Sequence, residues 1–339
     1  MKLRNNFINS PVSRRRCLGI LGSSVALPIA GAASPVFGAS RALKKITWTG
    51  RALGADADIT LYTDDEVHAR ETLGVMVGEI KRLEQYFSLF KENSLIQELN
   101  RGGFLNNPPD EFHELLSVAL DLAEKSGGRF DPTVQPLFMA LKACARQGSP
   151  QPWDDDAGVR RARRLINYKN LECCRTRISF AERGMGITLN GIAQGYITDR
   201  AVGILKNAGF AHTLVNFGEY SALQPKPGTD GWRIQLGDAR RKSAVLPVWN
   251  ISNSALAAST NSGYVFDGSG GLHHMLDPHS GSSARYWQEI YVEAPDATLA
   301  DAASTALFAT PPGEIAALAG RLGVTRAFLV SSNGDRVNL

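Results

Sequence analysis

Asp301 and Thr305 are four residues apart in a segment, Ala300-Asp301-Ala302-Ala303-Ser304-Thr305, that reads as helix. At that spacing a carboxylate and a hydroxyl share one face. Such an oxygen pair suits a hard cation such as Mg²⁺, which takes oxygen ligands and keeps waters or substrate phosphates. A second chemical group precedes it: His273-His274-Met275-Leu276-Asp277-Pro278-His279-Ser280-Gly281. Adjacent histidines are poorly spaced for zinc. One imidazole as a general base is the stronger reading, because its ordinary pKa lies near 6.5. A third segment, Thr188-Leu189-Asn190-Gly191-Ile192-Ala193-Gln194-Gly195-Tyr196, puts glycines at a helix start. There, backbone amides can approach a phosphate and the helix end adds partial positive charge. The spacing is neither GxGxxG nor GxxxxGK[ST], so a dinucleotide fingerprint and a P-loop are both excluded. Two further stretches are Gly127-Gly128-Arg129-Phe130-Asp131-Pro132-Thr133-Val134, a sharp loop, and Phe87-Ser88-Leu89-Phe90 continuing to Ser94 and Leu99-Asn100.

These segments need elements to hold them. Apolar residues at Leu73, Val77, Ile80, Leu83 and Phe87 predict a helix over residues 66–87. A helix follows Pro108-Pro109-Asp110 and stops at Gly127-Gly128. Others are expected from Ala193 to Gly209, from Ala297 to Ala309 behind an Asp296 cap, and from Ala316 to Leu322. Strands are expected at residues 54–63, 212–217 and 232–236, with a terminal hairpin turning at Asn333-Gly334. Helices and strands mix without regular βαβ alternation, so the expected class is α+β, one domain over residues 41–339. Residues 135–185 are the least legible, and Arg160 to Arg164 reads as a solvated helix face.

The chain has 339 residues with 43% hydrophobic and 21% charged content, an ordinary globular composition. Its net charge of +4 is misleading, because residues 1–40 hold five basic residues and no acidic one. The remainder is close to neutral and carries no global footprint for nucleic acid. Ser13-Arg14-Arg15-Arg16-Cys17-Leu18, the weakly apolar run to Ala33 and the small residues beyond it have the order of an export signal. The paired arginines resemble a twin-arginine signal, implying a periplasmic mature protein. The run is too broken by glycine, serine and proline to span a bilayer, so no membrane anchor is expected. Cys144, Cys173 and Cys174 remain outside that signal and read as packing residues, with one Cys144 bridge left open.

Taken in order, the motifs resemble the FAD:protein FMN transferases, the ApbE family, from about Gly54 to Thr310. The resemblance rests on Phe87-Ser88 with Ser94 and Leu99-Asn100, Gly128 to Val134, Gly191 to Tyr196 with Asp199, Val215-Asn216-Phe217-Gly218, His274 with Asp277-Pro278 and Gly281, and Ala300-Asp301 with Ser304-Thr305. It implies an α+β fold around a T-fold-like antiparallel sheet. It also implies binding of FAD and Mg²⁺, and transfer of FMN through its phosphate to a threonine of an acceptor flavoprotein, with release of AMP. Residue by residue, it implies metal ligation by Asp301 and Thr305, with Gly191, Ala193 and Ser304 contributing. It implies FAD contacts at Leu53, Phe90, Arg129, Phe130, Asp131, Thr188, Gln194 and Met275, and a base at His274. Thr188 departs from the family's usual aspartate and Gln194 from its usual lysine or acid. The Leu-Asn-Gly-Ile-Ala-Gln-Gly variant with Asn216-Phe217-Gly218-Glu219 resembles the NosX branch, implying a NosR-like membrane flavoprotein as acceptor. The two departures leave a second expectation open, a non-catalytic flavin carrier or maturation factor.

Overall fold

The computed structural model describes residues 18–20, 42–147, 153, 156–237, 246–266 and 271–339. The expected export signal lies outside the described residues, except for Leu18–Ile20, whose backbone pairs with Ile234 to Leu236.

The frame is one eight-stranded antiparallel sheet. Its strands are β1 (Lys44–Ala52), β2 (Ala55–Thr63), β3 (His212–Asn216), β4 (Tyr220–Ala222), β5 (Ser254–Thr260), β6 (Trp287–Ala294), β7 (Arg326–Ser331) and β8 (Arg336–Asn338). Each pairs with its neighbour in chain order, so the sheet is a meander interrupted by long insertions. The turn between β1 and β2 is Leu53-Gly54, both at positive φ (47° and 81°), the two-residue geometry whose twist matches paired strands. The helices α1 (Glu66–Phe87), α2 (Leu95–Gly102), α3 (Asp110–Lys125), α4 (Gln135–Gln147) and α5 (Ala157–Arg164) follow β2. The helix α6 (Ala193–Asn207) precedes β3, while α7 (Ala297–Phe308) and α8 (Ile315–Leu322) join β6 to β7.

Both faces of the sheet are covered. Ala255, Ala257, Ile290, Val292, Ala327 and Leu329 face the main core, which α1, α3, α6 and α7 complete. Their neighbours Leu256, Tyr291 and Phe328 face a second core with Trp232, Ile234 and Trp249. Burial on both faces removes the polar alternation that marks a strand in sequence, which is why β5 and β6 were not expected. β5, Ser-Ala-Leu-Ala-Ala-Ser-Thr, is built of small residues because α7 packs directly on it.

The expected helices form within a residue or two of their anticipated ends. Asp65 caps α1 by accepting the His68 N–H at 2.9 Å, and Asp296 caps α7 by accepting that of Leu299 at 2.8 Å. α4 was not expected. It continues from the turn at Pro132–Val134 without a cap of its own. With α5 and Phe266 it builds a satellite core of Leu137, Leu141, Cys144, Trp153, Val159 and Ala162. Cys144, Cys173 and Cys174 are free thiols.

Candidate active site

A cleft of about 530 Å³ opens where the insertions meet the end of β5. Its walls come from five separated stretches. The loop after α1 is stapled by Ser94, which is fully buried: its hydroxyl donates to Ser88 O at 2.7 Å and accepts the Gln97 N–H. Gln97 Nε2 donates to Leu89 O at 2.7 Å. These bonds fix a short loop that holds Phe90 two-thirds exposed at the cleft mouth.

The second wall is the Arg129–Asp131 turn. Asp131 is buried, and its Oδ1 accepts the Thr133 N–H and hydroxyl at 2.7 and 2.6 Å while Oδ2 accepts the Tyr168 N–H. Burial pushes its carboxyl up, and those hydrogen bonds pull the other way. Arg129 donates to Ala309 O and Glu314 Oε2, both at 3.1 Å, and lies 3.6 Å from Asp277 Oδ1. One guanidinium therefore ties the turn to the end of α7 and to the strand after His274.

The third wall is residues 184–191. Asn100 clamps it from α2, donating to Ile187 O at 2.9 Å and accepting the Ile187 N–H at 2.7 Å. Thr188 donates its N–H to Pro132 O at 2.8 Å, joining this wall to the second. Gly191 lies against α7. A Cβ there would sit 2.9 Å from Thr305 Oγ1 and 3.4 Å from Phe130, so any side chain at this position would have to displace Thr305.

The fourth wall is α7, with Ser259 and Thr260 of β5 beside it. α7 meets the start of α6 at van der Waals limit: a Cβ on Gly195 would lie 2.1 Å from Ala297 O. That contact lets the Gly195 N–H donate to Asp301 Oδ2 at 3.0 Å, placing a fully buried carboxylate on the positive end of α6. Asp199 locks the crossing. It accepts the Ala297 and Thr298 N–H groups and the Thr298 hydroxyl at 2.9, 2.8 and 2.5 Å. Ser304 shares a 2.8 Å hydrogen bond with Ser259, behind the cleft wall. The fifth wall carries His274, Met275 and Leu276.

Of the residues expected here, Phe90, Arg129, Phe130, Asp131, Thr188, Gly191, His274, Met275 and Thr305 line the cleft. Asp301, Ser304 and Ala193 are buried directly behind it. Leu53 and Gln194 do not line it. Leu53 donates its N–H to Glu84 Oε1 at 2.6 Å, and Gln194 donates its side-chain amide to Phe217 O at 2.9 Å. Sequence reasoning missed Arg101, Phe138, Met139, Lys142, Ser259 and Thr260. The i, i+4, i+7 spacing of Leu137, Leu141 and Cys144 was the available signal for α4. Arg101, Arg129 and Lys142 line the cleft with the carboxylate Asp131, so it offers cationic hydrogen-bond donors to a phosphate-bearing ligand.

The donor chemistry also fits Mg²⁺. Among the described residues no group of three or more His, Cys, Asp or Glu side chains is suited to a metal. Beside the lining carboxylate Asp131, the oxygen donors near α7 are the buried Asp301 behind the wall and the Thr305 hydroxyl one helical turn on, with the Gly191 backbone against Thr305. A hard cation completed by water and substrate phosphate needs no more protein ligands than that.

The family description that matches this sequence, over residues 53–329, is the ApbE family. The chain belongs to the ApbE family. The FAD:protein FMN transferase of Rhodobacter capsulatus is 24% identical over 290 residues, covering 83% of this chain and 54% of that protein. The chain thus spans about half the length of that relative. The FAD:protein FMN transferase of Treponema pallidum (strain Nichols) is 27% identical over 274 residues, 72% of each chain. The crystal structure of the ApbE protein from Thermotoga maritima MSB8 aligns with a TM-score of 0.75 at 26% identity, covering 87% of this chain and 96% of that one. Pseudomonas stutzeri flavinyl transferase ApbE, in its apo form, aligns with a TM-score of 0.73 at 25% identity, covering 88% and 94%. The ApbE-family fold is thus the α+β, antiparallel-sheet architecture described above.

Proposed function

We propose that this ApbE-family protein transfers FMN from FAD to a threonine of an acceptor flavoprotein and releases AMP. The observation that carries the reading is the convergence of five family motifs, remote in sequence, on one cleft. In the reaction the threonine oxygen attacks the FMN phosphorus and a new P–O ester bond forms. The pyrophosphate P–O bond breaks, and AMP leaves with the bridging oxygen. His274 faces the cleft and takes the hydroxyl proton. Arg129 and the backbone around Gly191 hold phosphate, and Phe90 and Met275 offer surface to the rings. Asp301 and Thr305, supported by Ser304 and the Gly191–Ala193 backbone, would hold Mg²⁺, which when bound would supply charge neutralisation on the phosphates. Positioning then accounts for most of the rate.

The reading extends to place and partner. Residues 1–40 are a twin-arginine export signal and residues 41–339 the transferase domain, acting in the periplasm on a NosR-like membrane flavoprotein in support of nitrous oxide reductase. Replacing Arg14 and Arg15 by lysine should strand the precursor in the cytoplasm, and unimpeded export would refute the signal. One observation favours a second reading, a non-catalytic flavin carrier: Thr188 puts a neutral hydroxyl in the cleft where the family usually has a carboxylate. Incubating residues 41–339 with FAD, Mg²⁺ and an acceptor domain decides between them. In-gel flavin fluorescence with AMP release supports the transferase; FAD binding without AMP release supports the carrier.

A further inference from the structure

The hairpin that carries His274 stands on α4. Its two arms pair through the bridge of Val265 with His273, the Phe266 N–H donating to Leu272 O at 2.8 Å, and the His274 N–H donating to Tyr264 O at 2.9 Å. Three rings bind the hairpin to the helix. Phe138 of α4 lies 5.8 Å from Tyr264 and 5.2 Å from Phe266, and Tyr264 and Phe266 meet edge to face at 5.3 Å. The Lys142 ammonium, one turn further along α4, sits 6.0 and 5.9 Å from the Phe138 and Tyr264 rings, in cation–π range. Phe266 is buried in the satellite core of α4 and α5 and does not line the cleft.

The geometry at Tyr264 gives this clasp a chemical consequence. His274 Nδ1 lies 3.2 Å from both the main-chain N and the main-chain O of Tyr264. If Nδ1–H donates to the Tyr264 carbonyl, Nε2 keeps its lone pair, and the same bond persists when the ring takes a second proton. If the Tyr264 N–H donates to Nδ1, the ring proton sits on Nε2 and that nitrogen cannot act as a base. The two groups belong to successive peptide units, so the backbone angles of Tyr264 decide which of them lies on Nδ1.

We infer that the Phe138–Tyr264–Phe266 clasp on α4 positions His274, holding the Tyr264 carbonyl on Nδ1 so that Nε2 is the basic nitrogen. Phe266 is thus a positioning residue for the transfer step, acting through Tyr264. The inference rests on the transferase reading for its kinetic consequence, but its structural part is observable without turnover. The test is Phe266→Leu, with Phe266→Tyr as the variant that restores a ring. Nitrogen NMR of the histidine-labelled protein reports which ring nitrogen carries the proton, and His274→Gln assigns the resonance among the six histidines. In the wild type the Nδ1–H tautomer is expected. In Phe266→Leu the His274 nitrogens should move towards averaged values, and kcat for FMN transfer should fall roughly tenfold to hundredfold. KM for FAD should change less than about twofold, and Phe266→Tyr should recover most of kcat. A wild-type Nε2–H tautomer overturns the inference, as do unchanged His274 resonances and kcat in Phe266→Leu. Absence of AMP release by wild type would refute the transferase reading instead, and the NMR comparison would still judge the clasp.

Discussion

Replacing Asp199 with asparagine should flatten the dependence of stability on pH between 4 and 7. Asp199 is a partly buried carboxylate on α6 that accepts three hydrogen bonds from the first turn of α7. Burial pushes its carboxyl up to about 6 from an ordinary 3.8, the hydrogen bonds opposing the rise and Asp296 adding to it. Below pH 4 the group is protonated in both folded and unfolded chains. Between pH 4 and 6 the unfolded chain releases the proton while the folded chain keeps it. Stability from this group is therefore present at low pH and is lost as pH rises through about 6. At 1.36 kcal/mol per unit the loss is about 3 kcal/mol. Asparagine does not titrate and loses nothing over that range. It also presents an N–H₂ to one of the α7 donors, so the variant should be the less stable protein at pH 4. The assay is urea unfolding of both proteins at several pH values, followed by tryptophan fluorescence. The stability gap between wild type and variant should shrink by about 3 kcal/mol from pH 4 to pH 7. A gap that stays constant, or widens with pH, would refute a raised pKa at Asp199.

Gly195→Ala would drive a Cβ to 2.1 Å from Ala297 O, a backbone atom that cannot yield cheaply. Helix propensity favours alanine by roughly 0.5–1 kcal/mol, yet the variant should lose more than about 2 kcal/mol; a neutral urea midpoint would contradict the tight α6–α7 crossing. Gly191→Ala meets a side chain, Thr305 Oγ1 at 2.9 Å. It should unfold at nearly the wild-type midpoint while losing tenfold or more in transfer rate, and retained activity would show that Gly191 does not set the cleft wall. Asn100→Ala removes both bonds to Ile187. KM for FAD should rise severalfold, measured by AMP release, and an unchanged KM would show that the third wall holds itself.

The helices expected around the site were legible through an apolar stripe or a capping residue, as in the Leu73-to-Phe87 stripe of α1 and the Asp296 cap of α7. The motifs were legible because glycine and Asp-Pro pairs mark the sharp turns at Gly128 and Asp131. What was not legible had physical reasons. β5 is a strand of small residues covered on both faces, so it shows neither alternation nor bulk. α4 starts from a turn rather than a cap, which hid Phe138, Met139 and Lys142 from view. Resemblance also points equally at residues that touch the cleft and residues that support it. Asn100 lines the cleft while clamping Ile187, whereas Asp199, equally a motif residue, only locks α7. Gln194 likewise spends its amide on Phe217 O.

In the proposed function, the cleft performs metal-dependent FMN transfer with Asp301 holding the cation. The direct measurement is the rate of AMP release and acceptor flavinylation against Mg²⁺ concentration, for wild type, Asp301→Ala and Thr305→Ala. Wild type should show saturable Mg²⁺-dependent transfer. Asp301→Ala should abolish it while FAD binding through the rings persists. Thr305→Ala should weaken it less, because a neutral oxygen contributes less charge than a carboxylate. Wild-type rates in Asp301→Ala at ordinary Mg²⁺ would contradict the account.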